Sequence, residues 1–235
     1  MVRKNESSEI EVLDIFDPLD YKHIINTVLM AFEQEKVRGM SSMEPFYGAG
    51  IYAIYYTGSY PVYSLMAEQN IENPGSFPIY IGKAEVANSR KGGLDISADY
   101  SLTRKLYERL SMHKETIQSA ENLDICDFQF KVLALTPIWI PFAENILIAR
   151  KRPVWNDILE GFGNKNPGIK RLSGKRPKWD TVHPGRFWSR EMPLGDESVD
   201  ELCAKVENHL QESVKMSPDY VVGKLDIEVD YKKSL

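Results

Sequence analysis

The chain has 235 residues, of which 43% are hydrophobic and 27% are charged, a composition typical of a globular protein with one sizeable core. It contains no long uninterrupted apolar run and its N-terminus is polar, so we expect neither a membrane span nor a secretory signal. The two cysteines, Cys126 and Cys203, are far apart in the chain and predict reduced thiols, not a disulfide or a zinc site.

The net charge of −5 is unevenly distributed along the chain. Residues 1–44 carry five bases and nine acids, residues 45–144 carry eight and eleven, and residues 191–235 carry five and eleven. Residues 145–190 carry eleven bases and three acids, a net charge of +8. Because aromatic residues are interleaved with these bases, the block favours a phosphate-rich partner. The alternative is an ordinary solvated basic face.

The elements predicted in chain order begin with a helix over residues 19–39, where apolar residues recur at helical spacing. Three β-rich runs predict strands: GIYAIYYTG at 50–58, FPIYIGK at 77–83 and DFQFKVLALTP at 127–137. Residues 58–76 hold several turn-formers, with NPGSFP at 73–78 as a clear breaker. Further helices are predicted at 101–119, with Ser101 as N-cap, at 141–153 and near 197–213. The segment 219–231 is typical of a strand or extended chain.

This order predicts an α+β fold, a small three-stranded antiparallel sheet flanked by helices, with an N-terminal helix and a basic C-terminal extension. We expect a single domain over 1–235. Its parts would be an N-terminal helical extension at 1–47, a core at 48–157, and a DNA-binding and C-terminal extension at 158–235.

Several polar residues of the predicted core could carry chemistry. Tyr52 and Tyr80 lie on two strands that could be neighbours, and each is close to a glycine, which often marks close approach of a ligand. Arg109 and His113 share one helix face because they are four residues apart, and this stripe is predicted to lie off the main core face. Glu144 lies near the start of the following helix. Each residue taken alone also fits ordinary packing or an inert surface.

Together, these residues resemble a known pattern. The tripeptides GIY at 50–52 and YIG at 80–82 are similar to the signature of the GIY-YIG nucleases, and the later order also fits: Arg and His on one helix, a strand, Glu on the next helix, then Asn. The resemblance covers roughly residues 48–157. It implies that the core is a GIY-YIG nuclease core and that the protein hydrolyses phosphodiester bonds.

Other stretches resemble the type II restriction endonuclease branch of this superfamily. These are VWNDILEGFGN at 154–164 and HPGRFW at 183–188, which are similar to enzymes that cut CCGCGG. This branch implies double-stranded DNA cut at a short palindrome, a homodimer, a cognate DNA methyltransferase in the same system, and a bacterial cytoplasmic location. The alternatives are a GIY-YIG nuclease of homing or DNA-repair type, and a catalytically silent DNA-binding protein.

The resemblance also implies roles for the core residues. Tyr52 would be the general base, favoured as phenolate by Lys83 and sharing its proton with His113. Glycines beside the tyrosines would leave room for a DNA phosphate. Tyr80 would position water or phosphate.

The remaining implied roles concern the phosphate and the metal. Arg109 would bind the phosphate as a fixed positive fork. Glu144 would hold one Mg²⁺ or Mn²⁺ ion per active site, since carboxylate oxygens suit hard cations. Asn156 would hold the region of Glu144 or contact the scissile phosphate.

Candidate DNA contacts lie in the basic block. Arginine is the usual reader of guanine edges in the major groove, whereas lysine more often contacts phosphate. The predicted base readers are Arg171, Arg176, Arg186 and His183, and the predicted phosphate contacts are Lys165, Lys170 and Lys175.

Overall fold

The computed structural model describes residues 21–86, 102–168 and 173–215 of the chain. The predicted extended segment at 219–231 and the predicted N-cap Ser101 lie outside these ranges. None of the helices within them is long and apolar enough to cross a bilayer.

The described part of the chain forms an antiparallel sheet of four strands flanked by helices. In chain order the strands are β1 (Arg38–Gly39), β2 (Gly50–Tyr56), β3 (Pro78–Ala84) and β4 (Phe128–Ala134), arranged in the order β1-β4-β2-β3. The predicted α+β fold is therefore confirmed, with one strand more than the three expected. The short strand β1 lies in the segment predicted as the end of the first helix, which instead stops at Glu33.

Strand β2 is the central element and is buried along its whole length. Because side chains alternate between the faces of a strand, Tyr52, Ile54 and Tyr56 enter one hydrophobic cluster. The intervening residues, including Tyr55, enter a second cluster on the other face. Burial on both faces explains why GIYAIYY is an almost continuous apolar run.

Helices cover both faces of the sheet. The face that carries Tyr55 is covered by α1 (Tyr21–Glu33) and α4 (Ile140–Lys151). The face that carries Tyr52 is covered by α2 (Ser64–Glu72), α3 (Lys105–Ser119), α5 (Val154–Asp157), α6 (Lys178–Val182) and α8 (Val199–Lys215). A further short helix, α7, spans Phe187–Arg190.

Helix α2 was not predicted, because its nine residues lie among the turn-formers of 58–76 and carry few apolar side chains. It is held by tertiary contacts. Asn70 is buried and its side chain donates to the carbonyls of Tyr56 and Phe77 and accepts from the Phe77 N–H. These bonds connect the end of β2 to the start of β3, so they set how the two strands meet.

The C-terminal extension packs into the same core as the sheet. Phe162 and Trp179 belong to the cluster that contains Tyr52, and α8 adds Val206 and Leu210. Helix α8 confirms the predicted amphipathic helix near 197–213. Ser198 and Glu201 form a reciprocal capping box at its N-terminus, with the Ser198 hydroxyl accepting from the Glu201 N–H at 3.2 Å.

Candidate active site

The centre of the candidate site is a buried pair formed by Tyr52 of β2 and His113 of α3. The Tyr52 hydroxyl and His113 Nε2 are 2.7 Å apart, and both residues are at most 2% exposed. The prediction that the Arg109–His113 stripe lies off the core face is therefore wrong for His113, which is buried alongside Leu110. The i,i+4 spacing still brings Arg109 to the same site.

Tyr80 lies diagonally across from Tyr52 on the same face of the sheet. In the register of β2 and β3, Tyr52 is opposite Gly82 and Tyr80 is opposite Ile54, and the two tyrosine rings are 6.2 Å apart. A Cβ on Gly82 would clash with the Tyr52 hydroxyl. This glycine therefore makes room for the catalytic candidate itself, which corrects the expectation that it leaves room for phosphate.

Arg109 connects the two tyrosines. Its guanidinium is half-buried and lies close enough to both phenols for its positive charge to oppose the rise in the pKa of Tyr52 and of Tyr80. The same guanidinium donates to the Gly163 carbonyl at 3.4 Å. A fixed cation thus lies beside two phenol groups at the partly exposed side of the site.

The electrostatics of the pair favour the neutral forms of both side chains. Burial raises the pKa of the Tyr52 phenol well above its usual range, and the neighbouring Tyr80 adds to this, while Arg109 opposes it. Burial, followed by the charges of Arg109 and Arg186, holds the pKa of His113 well below its usual range. A neutral imidazole next to a neutral phenol can accept the phenol proton.

Lys83 and Glu144 lie at the same edge of the sheet but form their own ion pair. Lys83 Nζ is 3.0 Å from a carboxylate oxygen of Glu144 and 3.7 Å from one of Glu85. The prediction that Lys83 is the cation beside Tyr52 differs from the structure, in which Arg109 has that position. Side chains of adjacent strand residues point to opposite faces, so Lys83 points away from the face that carries Tyr80.

Glu144 can hold a divalent metal ion as a single carboxylate. Its side chain is 16% exposed and is close enough for its charge to raise the pKa of Tyr80, after the larger effects of burial and of Arg109. The partner Lys83 shows that the carboxylate already attracts a cation. In the described ranges no three or more His, Cys, Asp or Glu side chains are clustered as a metal site. A carboxylate is the kind of oxygen ligand that suits a hard divalent cation.

Asn156 holds the outer edge of β3. Its side-chain amide accepts from the Ile81 N–H and donates to the Ile81 carbonyl, both at 2.9 Å. The structure therefore places Asn156 against the β3 backbone between Tyr80 and Gly82, in contrast to the expected contact with the Glu144 region or with phosphate. It satisfies groups that an edge strand would otherwise leave unpaired.

The comparison with protein families agrees with this constellation. The family model for the Eco29kI GIY-YIG domain matches residues 44–210, most of the chain. The chain belongs to this GIY-YIG family. The match confirms the resemblance to the restriction endonuclease branch and supports a nuclease that acts on DNA. GIY-YIG nucleases generally use divalent metals. No curated protein matches the chain significantly.

The match extends past the nuclease core into the basic block. Here some of the predicted DNA contacts are exposed, whereas others are used within the fold. Lys165 and Lys175 are exposed, although Lys175 is ion-paired with Asp196. Arg176 donates to the carbonyls of Ser189, Arg190 and Met192, which commits part of its guanidinium to the fold. Lys170 and Arg171 lie outside the described residues.

His183 and Arg186, two of the predicted base readers, are buried. His183 Nε2 is 2.6 Å from the Tyr63 hydroxyl and its Nδ1 is 2.9 Å from the Asn122 side-chain oxygen. Arg186 is 6% exposed and is ion-paired with the fully buried Asp180. Neither side chain faces a surface on which DNA could lie, so the structure corrects the prediction that they read bases.

Two residues near the centre were missed as site residues. Phe162 stacks on the His113 ring with 4.6 Å between centroids and a 15° angle, and it meets the Tyr80 ring edge-on at 4.9 Å. Glu85 shares Lys83 with Glu144. The sequence carried a signal only for Phe162, in the GFGN stretch that marks the restriction branch.

Proposed function

We propose that the protein is a type II restriction endonuclease that hydrolyses phosphodiester bonds in double-stranded DNA at a short palindromic site. The observation that carries this proposal is the convergence of Tyr52, Tyr80, Arg109 and His113 on one face of the sheet, with Glu144 at the adjacent edge. CCGCGG is the candidate target, because the extension resembles that of enzymes with this specificity.

Tyr52 is the proposed general base. A phenol with a raised pKa is a poor base unless its own proton has an acceptor. His113 Nε2, 2.7 Å from the hydroxyl, supplies that acceptor. The positive charge of Arg109 acts on the same phenol and would stabilise negative charge on it as the proton leaves. The buried pair therefore moves the proton inward, away from the attacked phosphorus.

Tyr80 and Arg109 are the proposed phosphate ligands. Both are partly exposed, whereas Tyr52 lies beneath them. The guanidinium offers fixed donors to the oxygens on which negative charge builds up in the transition state, and such preorganised charge is usually the largest catalytic contribution. The Tyr80 hydroxyl would orient the water or a phosphate oxygen.

Glu144 is the proposed ligand of a single Mg²⁺ or Mn²⁺ ion. The ion would supply Lewis-acid stabilisation of the leaving 3′ oxygen. If Glu144 held the ion, Lys83 would keep Glu85, whose carboxylate oxygen is 3.7 Å from its Nζ, as a carboxylate partner.

Sequence recognition is assigned to the extension and to a second copy of the chain. Lys165 and Lys175 are the proposed phosphate contacts in the described ranges, and Arg176, with Lys170 and Arg171, stays a candidate. Cutting both strands of a palindrome requires two active sites related by a two-fold axis, so we propose a homodimer. A cognate DNA methyltransferase would protect host DNA without contacting this protein.

The proposal is tested by digestion of unmethylated bacteriophage DNA with Mg²⁺, with Mn²⁺ and with EDTA, followed by mapping of the ends. We expect discrete fragments with either metal, ends at one palindromic sequence, and no cleavage in EDTA. Cutting at branched DNA or at a long asymmetric site would replace this function with a repair or homing role. Binding of DNA without cleavage in either metal would leave a silent DNA-binding protein.

A further inference from the structure

The guanidinium of Arg186 is fully used inside the protein. Its Nε and Nη2 donate to the two carboxylate oxygens of Asp180, the first at 2.6 Å. Its remaining N–H groups donate to the carbonyls of Gly161 at 3.0 Å, Phe162 at 3.2 Å and Asn164 at 3.1 Å. A guanidinium has five N–H donors, and here all five are accounted for.

The accepting carbonyls belong to one loop, residues 161–164, which lies directly on the candidate active site. Phe162 stacks on His113 and contacts Tyr80. The Gly163 carbonyl accepts from Arg109. A Cβ at Gly163 would be 2.9 Å from the Tyr80 hydroxyl and 3.2 Å from the Arg109 guanidinium. The backbone of the loop therefore lies so close to these two side chains that a residue larger than glycine would crowd them.

The surroundings of Arg186 fix its orientation. The guanidinium lies 4.8 Å from the Trp179 ring centroid and 4.5 Å from that of Trp188. Asp180 is fully buried and needs a cation to be tolerated there. Lysine has neither the planar fork nor the five donors, so it cannot replace arginine at this position.

We propose that Arg186 and Asp180 form a clamp that holds the 161–164 loop, through which Phe162 and the Gly163 carbonyl position His113 and Arg109 for catalysis. Arg186 is thus a positioning residue and not a reader of bases. The clamp makes the C-terminal extension part of the catalytic machinery, beyond its expected task of DNA binding. The expected change in cleavage rate rests on the proposed nuclease function. The expected change in the position of His113 does not.

The structural consequence is tested by NMR of protein carrying isotope-labelled histidine, of which the chain has four. The variants are Phe162→Leu, which removes the ring and keeps the clamp, and Arg186→Lys, which keeps the charge and removes the fork. Arg190→Lys is the matched control, because Arg190 is exposed and paired at the surface with Glu121. We expect the His113 ring signals to move in the first two variants and to stay in place in the control.

The kinetic consequence is tested on the cognate site found by end mapping, with single-turnover cleavage in Mg²⁺ and DNA affinity in Ca²⁺. We expect Phe162→Leu and Arg186→Lys to cleave about tenfold to a hundredfold more slowly, since small misplacement of catalytic groups costs about that much. DNA affinity should stay within about twofold of wild type, because neither side chain contacts DNA. Weaker or less specific DNA binding with an unchanged cleavage rate would make Arg186 a DNA contact and overturn the clamp.

The two variants also separate the possible failures. If Arg186→Lys does not fold, Phe162→Leu still tests the step from the loop to the active site. Slower cleavage supports the positioning of His113 by Phe162, and wild-type cleavage overturns it. If the wild-type protein cleaves no DNA, the nuclease proposal fails, and the histidine signals still test the clamp. Unmoved His113 signals in Phe162→Leu overturn it whatever the activity.

Discussion

The nuclease core and the basic extension use their polar residues in opposite ways. In the core, the residues singled out by motif converge: Tyr52, Tyr80, Arg109 and His113 meet on one face of the sheet. In the extension, two of the residues singled out by charge and motif, His183 and Arg186, are buried and hydrogen bonded within the fold. Ordered spacing was therefore a better guide than local charge to which polar side chains come together.

Half of the net charge of the basic block at 145–190 is compensated by acids from other parts of the chain. Six of the bases at 145–190 form ion pairs in the described ranges, with the pairs Lys151–Glu33, Arg152–Asp157, Lys175–Asp196, Lys178–Glu197, Arg186–Asp180 and Arg190–Glu121. Four of these acids lie outside the block. A net charge of +8 counted along the sequence thus overstates the positive surface that remains for DNA.

The largest expected effect in the nuclease core is that of Tyr52→Phe. Because the change removes only the hydroxyl that meets His113, we expect single-turnover cleavage to slow by about 10²- to 10⁴-fold in protein that still folds. The control is Tyr55→Phe, on the same strand but on the opposite face. Near wild-type cleavage by folded Tyr52→Phe protein would remove tyrosine from the base role.

The structural role of His183 is tested by the pH dependence of the free energy of unfolding. Burial lowers its pKa to about 3, below the value of about 6.5 in an unfolded chain. The stability it contributes is complete above about pH 6.5 and is lost as pH falls towards 3, because only the unfolded state then takes up the proton. We expect about 2 kcal/mol of this loss between pH 7 and pH 5, measured by urea denaturation.

His183→Gln should flatten that part of the pH dependence, while His23→Gln, at an exposed position of α1, should leave it unchanged. An equally steep acid dependence in His183→Gln would mean that His183 does not stay neutral in the folded protein, and the extension would again have an ionisable candidate for binding.

Asn156 lies in α5, at the end of the core next to the extension, and holds the core strand β3. Asn156→Ala should lower the free energy of unfolding by about 1–3 kcal/mol, because the Ile81 N–H and carbonyl lose their partners. It should also slow cleavage by displacing Tyr80. Asn145→Ala, exposed on α4, is the control. A slower cleavage rate with unchanged stability would indicate direct contact with the phosphate instead.

The smallest expected effect concerns the exposed lysines of the extension. Lys165→Ala should weaken binding to all DNA sequences by a similar factor. It should also reduce the slope of the logarithm of the DNA-binding constant against the logarithm of salt concentration by about one, the value for one phosphate contact. Lys215→Ala, exposed at the end of α8, should do neither. If Lys165→Ala changed which sequence is cut, Lys165 would be a base reader and not a phosphate contact.

The sequence by itself determined the family and the α+β class, because strand periodicity and ordered motifs depend on local spacing. It also singled out Tyr52, Tyr80, Arg109 and His113, which the fold brings together. The sequence also marked GFGN and HPGRFW as characteristic stretches, but without a role for either. Both are explained only when Arg186 meets the 161–164 loop and Phe162 meets His113.

Only the tertiary structure decided which polar groups are buried and which cations are free. Arg186 and Lys165 are equally basic in the sequence, yet one is enclosed by two tryptophans and a carboxylate and the other faces solvent. The cation beside Tyr52 was likewise Arg109 and not Lys83, because the strand register turns Lys83 to the other face. Burial and partner choice come from contacts between distant segments, which local spacing does not encode.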